Sequence, residues 1–230
     1  MNDKVKLPFL CAVLLFPLFA SAENHSISVG YMWSNIGLGS GNEPNGNEQD
    51  IIERNLPKLN GFNIKYRYEW DSPLSLIGSL SYSTGSSSIP INGQVNHLET
   101  GPSNPHKINV DYSVKKFSLL TGPAYRVNDY ISFYGLAGIS HYKGDIDIKS
   151  SISAGNSSLD KNVNLNQSGT GLAYSVGVQI NPMPNLVVDL SYEGSRNKIE
   201  TKGEVPIFGD VKQSNAGNTN GFVVGIGYRF

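Results

Sequence analysis

Apolar side chains recur at every second position in one segment of this chain after another, the period of a β-strand with a single greasy face. The last ten residues show it most plainly. Phe222, Val224, Ile226, Tyr228 and Phe230 alternate with Val223, Gly225, Gly227 and Arg229. Ile27, Val29, Tyr31 and Trp33 alternate with Ser26, Ser28, Gly30 and Met32. Phe62, Ile64, Tyr66, Tyr68 and Trp70 alternate with Asn63, Lys65, Arg67 and Glu69. The same holds for Leu74, Leu76, Leu80 and Tyr82, for Leu172 to Ile180, and for Leu186, Val188, Leu190 and Tyr192, whose other face carries Asp189 and Glu193.

Two further segments are less regular. Ile108, Val110, Tyr112 and Val114 hold one phase, whereas Phe117, Leu119, Thr121, Pro123 and Tyr125 hold the other. A β-bulge near Lys115 and Lys116 is expected to reconcile them. Tyr130 to Tyr142 is apolar or small on both faces, so its length and composition predict a strand but leave its phase open. Together these segments predict eight strands.

The connections between them alternate in length. Asp71-Ser72-Pro73, Val127-Asn128-Asp129 and Pro182-Met183-Pro184-Asn185 are short turns. Ser34–Asn60, Thr84–Lys107, Lys143–Ser168 and Gly194–Asn220 are long and rich in Gly, Ser, Asn and Pro. An even strand number with short turns at one end and long loops at the other is the arrangement of an outer-membrane barrel. The expected fold is therefore all-β: an eight-stranded antiparallel up-and-down transmembrane β-barrel with long extracellular loops.

Which face points outward follows from charge. One set of alternating positions contains Lys65, Arg67, Glu69, Asp189, Glu193 and Arg229. Eight strands enclose a space just wide enough for side chains to fill, so this set is expected inside as a paired polar network. A soluble barrel of the lipocalin kind would turn the apolar set inward. However, Trp33, Trp70, Tyr82, Tyr125, Tyr192 and Tyr228 sit at strand ends, where aromatic girdles meet the two edges of a bilayer.

The N-terminus sharpens the compartment. Lys4 and Lys6 precede a short apolar run, Leu7 to Phe19, and then Ala20-Ser21-Ala22. This is the layout of a secretory signal peptide, with residues 1–22 removed and a single domain over residues 23–230. The one cysteine, Cys11, falls within the leader, so the mature chain has no disulfide available. With 18 basic and 19 acidic residues and no basic stripe, nothing marks a nucleic-acid binder. No metal-ligand spacing, phosphate-binding loop or other cofactor motif is present.

Three stretches resemble one family. Gly122-Pro123-Ala124-Tyr125-Arg126-Val127-Asn128-Asp129, followed by Tyr134-Gly135, is similar to its turn between strands four and five. Asn181-Pro182-Met183-Pro184-Asn185, followed by Asp189-Leu190-Ser191-Tyr192-Glu193 and Ser195-Arg196, is similar to its hairpin between strands six and seven. Gly225 to Phe230 is similar to its closing strand. The family is the Ail/Lom (OmpX/PagC/Rck-like) group of enterobacterial outer-membrane proteins. The resemblance implies an eight-stranded barrel with four surface loops, and an assembly signal at Phe230 with Tyr228. It also implies loops that in several members promote adhesion, invasion or resistance to complement. Implied partners are outer-membrane lipids and lipopolysaccharide, the outer-membrane assembly machinery, and host surface, matrix or serum proteins.

The expected function is therefore non-enzymatic contact through the loops. Ser88-Ile89-Pro90-Ile91 and Val205-Pro206-Ile207-Phe208 place apolar residues in polar surroundings, and Ile89, Ile91, Ile207 and Phe208 are candidate contacts. The alternatives are that these segments extend a β-ribbon above the membrane, that the barrel is structural without a dedicated ligand, or that it is an outer-membrane enzyme.

Overall fold

A computed structural model describes residues 25–38, 56–95, 104–154, 157–205 and 209–230. They form eight antiparallel strands: β1 (His25–Leu38), β2 (Leu59–Glu69), β3 (Leu74–Val95), β4 (Asn104–Arg126), β5 (Ile131–Ala154), β6 (Ser157–Met183), β7 (Leu186–Val205) and β8 (Gly209–Arg229). Each strand pairs with its neighbours in chain order, and β8 pairs back onto β1, so the sheet closes. No helix occurs among the described residues.

Short polar side chains build the tight turns. In the β4–β5 turn Asn128 Oδ1 accepts the backbone N–H groups of Tyr130 and Ile131 at 2.9 and 2.8 Å. In the β2–β3 turn Ser72 Oγ accepts from the Leu74 N–H. The β6–β7 turn is tied to the end of β8: Arg229 N–H donates to the Asn185 carbonyl, and Asn185 Nδ2 donates to the Arg229 carbonyl.

The opposite end departs from expectation. β3 to β8 run for 20 to 27 residues, where about 9–11 suffice to cross a bilayer. Most of Thr84–Lys107, Lys143–Ser168 and Gly194–Asn220 is therefore paired strand rather than loop. Their Gly, Ser and Asn content suggests coil. Opposed pairs such as Ile146 with Leu165 and Ile148 with Val163 instead hold a ribbon in register. Residues 39–55 of the Ser34–Asn60 connection lie outside the described residues, as do 1–24 with the expected signal peptide.

The bulge expected near Lys115 is absent. β4 pairs with β3 in one unbroken register from Tyr125 opposite Leu74 to Asn104 opposite Val95. The irregularity lies elsewhere, between Ile180 and Met183, at the β6–β7 turn. The phase change in β4 is a change of surroundings. Phe117 and Leu119 point out from the lower barrel, while Val114 points into the upper one. β5 acquires a definite phase too: Phe133 and Ile139 face out, and Tyr134, Leu136 and Tyr142 face in.

Candidate functional site

The lower lumen holds a web of charged and polar side chains beside an apolar cluster of Ile77, Leu120, Ala124, Leu136 and Ala173. Lys65 Nζ meets Asp189 Oδ1 at 2.6 Å and donates to Ser191 Oγ at 3.0 Å. Tyr134 donates its hydroxyl to both Asp189 oxygens, and Gln179 Nε2 donates to Oδ2. Gln179 in turn accepts Arg67 Nη1 at 2.9 Å. Higher up, Glu193 accepts from Ser81 at 2.7 Å and faces Lys116 at 3.4 Å. Lys65, Asp189, Lys116 and Glu193 are all at most 2% exposed, so each ion must be offset by its partners.

At the turn end, Glu69 gathers three guanidinium groups. Arg126 and Arg229 reach Oε2 at 2.7 and 2.6 Å, and Arg67 Nε lies 3.4 Å from Oε1. The structure thus gathers the six charged positions singled out in the sequence, but around three separate carboxylates. Glu69 joins Arg67 and Arg229, while Asp189 takes Lys65 and Glu193 takes Lys116.

Sequence reasoning missed Tyr134, Lys116, Gln179 and Arg126 as members of this web, and Asn63, which donates to Ser79 and Ser81 next to Glu193. Lys116 was obscured by the expected bulge, and Tyr134 by the two-sided composition of its strand. One local signal was available: a Cβ on Gly177 would come within 2.4 Å of the Tyr134 ring, so that glycine makes room for an inward tyrosine.

The outward aromatic residues fall into two belts. Trp33, Tyr82 and Tyr192 form the upper one with Phe62 and Phe222, and they contact each other ring to ring. Trp70, Tyr125 and Tyr228 lie at the turn end with Tyr68 and Phe230. From Phe222 to Phe230 the strand path is about 27 Å at ~3.4 Å per residue. Tilted by about 40°, it covers roughly 20 Å of depth, close to the ~25 Å apolar band of a bilayer barrel. Between the belts, a groove of about 590 Å³ on the outer wall is lined by Phe133, Val176, Val178, Leu190 and Val224.

Above the upper belt the outer face turns charged and the interior has a second apolar cluster. Ile36, Leu59, Val114 and Tyr142 form a buried apolar cluster, with Leu56, Tyr112 and Ile199 packed against it. The Tyr112 and Tyr142 hydroxyls bond to each other. Tyr112 also donates to Gln167, and Gln167 donates to Thr201, which stitches β4 through β7 together. Burial pushes the Tyr112 phenol above its ordinary pKa. Outside, Lys58, Lys115, Lys143, Arg196 and Lys198 are exposed at the base of the ribbon, with Lys115 directly opposite Lys143. Higher up, Asp111 accepts from Ser88 at 2.6 Å and Lys149 at 3.0 Å, and these contacts hold its carboxyl below the ordinary value.

The apolar residues assigned to loops lie in strands or beyond the described residues. Ile89 is half-buried in β3 opposite Val110, and Ile91 stands opposite Ile108. The Ile91 side chain lies outside the described residues, as do Ile207 and Phe208.

An apolar belt-bounded wall, a lumen filled by side chains and a water-facing ribbon define an outer-membrane β-barrel. Residues 9–230 match the family described as enterobacterial Ail/Lom protein, and the chain belongs to it. It is 35% identical over 213 residues to the virulence membrane protein PagC of Salmonella typhimurium, covering 92% of this chain and 89% of that one. It is 36% identical over 180 residues to the attachment invasion locus protein of Yersinia enterocolitica, covering 78% and 79%. Among solved structures it is similar to Ail of Yersinia pestis, with TM-score 0.52 at 28% identity over 91% of this chain and 100% of that one. A second structure of that protein, in complex with the heparin analogue sucrose octasulfate, gives TM-score 0.50 at 27% identity over the same shares.

Proposed function

We propose that this chain is a non-enzymatic attachment protein of the outer membrane, exported with residues 1–22 as a cleaved signal peptide. It contacts polyanionic host-surface or matrix polysaccharide through its ribbon. The observation that carries this reading is strand length. β3 to β8 are about twice as long as a bilayer requires, and the excess stands at one end. A fold that only anchors itself has no use for that height.

Three further observations support it. The buried, mutually bonded Lys65, Asp189, Tyr134 and Ser191 leave the lower lumen to side chains rather than substrate. The relatives carry attachment and virulence in their names, and the Yersinia pestis protein takes a sulfated sugar. The exposed Lys115, Lys143, Arg196 and Lys198 give this chain cations where such a chain would lie along the ribbon base. On the same reading the two aromatic belts are interfacial girdles in contact with lipid and lipopolysaccharide. Tyr228 with Phe230 is the signal read by the assembly machinery, and Ile89, Ile91, Ile207 and Phe208 add apolar contact or ribbon packing.

The test is a double variant, Lys115→Glu with Lys143→Glu. Heat-modifiable gel mobility should be unchanged, showing a folded barrel. Heparin binding and attachment of expressing bacteria to cells should drop, with salt suppressing what remains. Undiminished attachment at low salt would remove the electrostatic part of the proposal. Loss of all attachment only on trimming the ribbon tips would move the site upward.

A further inference from the structure

At the turn-end mouth of the lumen three guanidinium groups converge on one buried carboxylate. Lys65 and Lys116 are matched by Asp189 and Glu193. That leaves Arg67, Arg126 and Arg229 sharing the single carboxylate of Glu69. The Phe230 terminus lies at the same rim, with its N–H on the His25 carbonyl. Asp71 and Asp129 are exposed in the turns beyond, where they line a water-facing pocket against Arg126.

Hydrogen bonding in this cluster is incomplete. Arg67 is 2% exposed; its Nε donates to Ser75 and its Nη1 to Gln179, but its Nη2 is buried without a protein partner. Arg126 uses Nη2 on Glu69, and its Nε is likewise buried and unpartnered. Both groups belong to guanidinium ions gathered on one carboxylate. A buried ionised donor left without an acceptor costs more than a neutral one.

We propose that this mouth is a binding site for a phosphate-class oxyanion, held by Arg67 and Arg126 with Arg229 alongside. Guanidinium forks suit such an anion because its oxygens accept from several N–H groups at once. The anion acts as a fixed counter-ion that completes the Glu69 cluster joining β2, β4 and β8. Its source is either free inorganic phosphate or the phosphate of an inner-leaflet lipid headgroup.

The experiment uses the full mature chain refolded in phosphate-free, lipid-free detergent. Inorganic phosphate is titrated at constant ionic strength while the arginine Nε–H resonances are followed by NMR. Saturable shifts at Arg67 and Arg126, absent with chloride, are expected. Arg126→Gln is the variant of choice because its side chain is partly exposed and the barrel should still fold. It should weaken phosphate binding by about tenfold, the loss of one charge-assisted hydrogen bond. Repeating the titration in phospholipid nanodiscs separates the sources. Resonances already at the bound position and insensitive to phosphate identify the headgroup, whereas renewed shifts identify the free ion. Linear shifts shared with chloride, or binding unchanged in Arg126→Gln, would overturn the proposal.

Discussion

The lower barrel and the upper ribbon are built from the same eight strands, yet the outer face passes from apolar to charged and each interior has its own core. Below the Trp33 belt the interior holds Lys65, Arg67 and Asp189 beside an apolar cluster of Ile77, Leu120 and Ala124, and the exterior holds Val29, Leu119, Val176 and Ile226. Above it the interior holds Leu59, Val114 and Tyr142, and the exterior holds Lys115, Lys143 and Arg196. No register shift accompanies the change in β4. The backbone continues, and only the medium outside it differs. Against lipid, apolar side chains belong outside and polar ones must satisfy each other within. Against water, the hydrophobic effect buries the apolar set instead. An apolar stripe that changes phase without a bulge therefore marks where a strand leaves the membrane.

The largest effect is expected in the lower lumen. Asp189→Ala leaves Lys65 buried without its carboxylate and should cost about 3–5 kcal/mol in reversible unfolding from detergent or vesicles. A loss under 1 kcal/mol would mean that water reaches the lumen. Next comes the lipid face. Val224→Arg should destabilise insertion by about 2–4 kcal/mol if this position sits near mid-bilayer, whereas a tolerated arginine would move the boundary downward.

The ribbon interior ranks third. Leu59→Ala should cost about 2 kcal/mol, the low end for a buried leucine, because the ribbon can close on the cavity. Hydrogen exchange should loosen above the belt while the lower strands stay protected; uniform loosening would argue against two separate cores. Smallest is the exposed pair on the outer ribbon. The Asp111 carboxyl is lowered first by the Ser88 hydrogen bond and then by Lys149. Its contribution is therefore present above the ordinary carboxylate range and fades as pH falls through the folded midpoint. A carboxylate NMR titration should show a midpoint below that of a free aspartate, moving back up in Ser88→Ala. No movement would assign the shift to Lys149 alone.

The membrane wall was legible from alternation, because period two combined with one greasy face admits few other structures. Lys65, Arg67, Glu69, Asp189, Glu193 and Arg229 shared one phase in the sequence for the same reason. Their partners were not legible. Lys116 sat where the two phases of β4 met, and the phase change suggested a bulge. Tyr134 is followed by Gly135, Ala137 and Gly138, small residues that suit either face. The ribbon was hidden by composition, since Ser, Gly and Asn belong to loops unless a neighbouring strand pairs with them, and such pairing is non-local.

By itself, then, the sequence determined that the chain makes strands, which face of each membrane-spanning strand is apolar, and where the tight turns fall. These are local properties of side-chain type and period. Only the tertiary structure decided that the strands continue far beyond the membrane, that their outer face turns charged above the Trp33 belt, and that Glu69 gathers three arginines from three strands. Each of these depends on which residues closure of the barrel brings together across the lumen. Glu69 and Arg229 stand 160 positions apart in the chain and 2.6 Å apart in the fold.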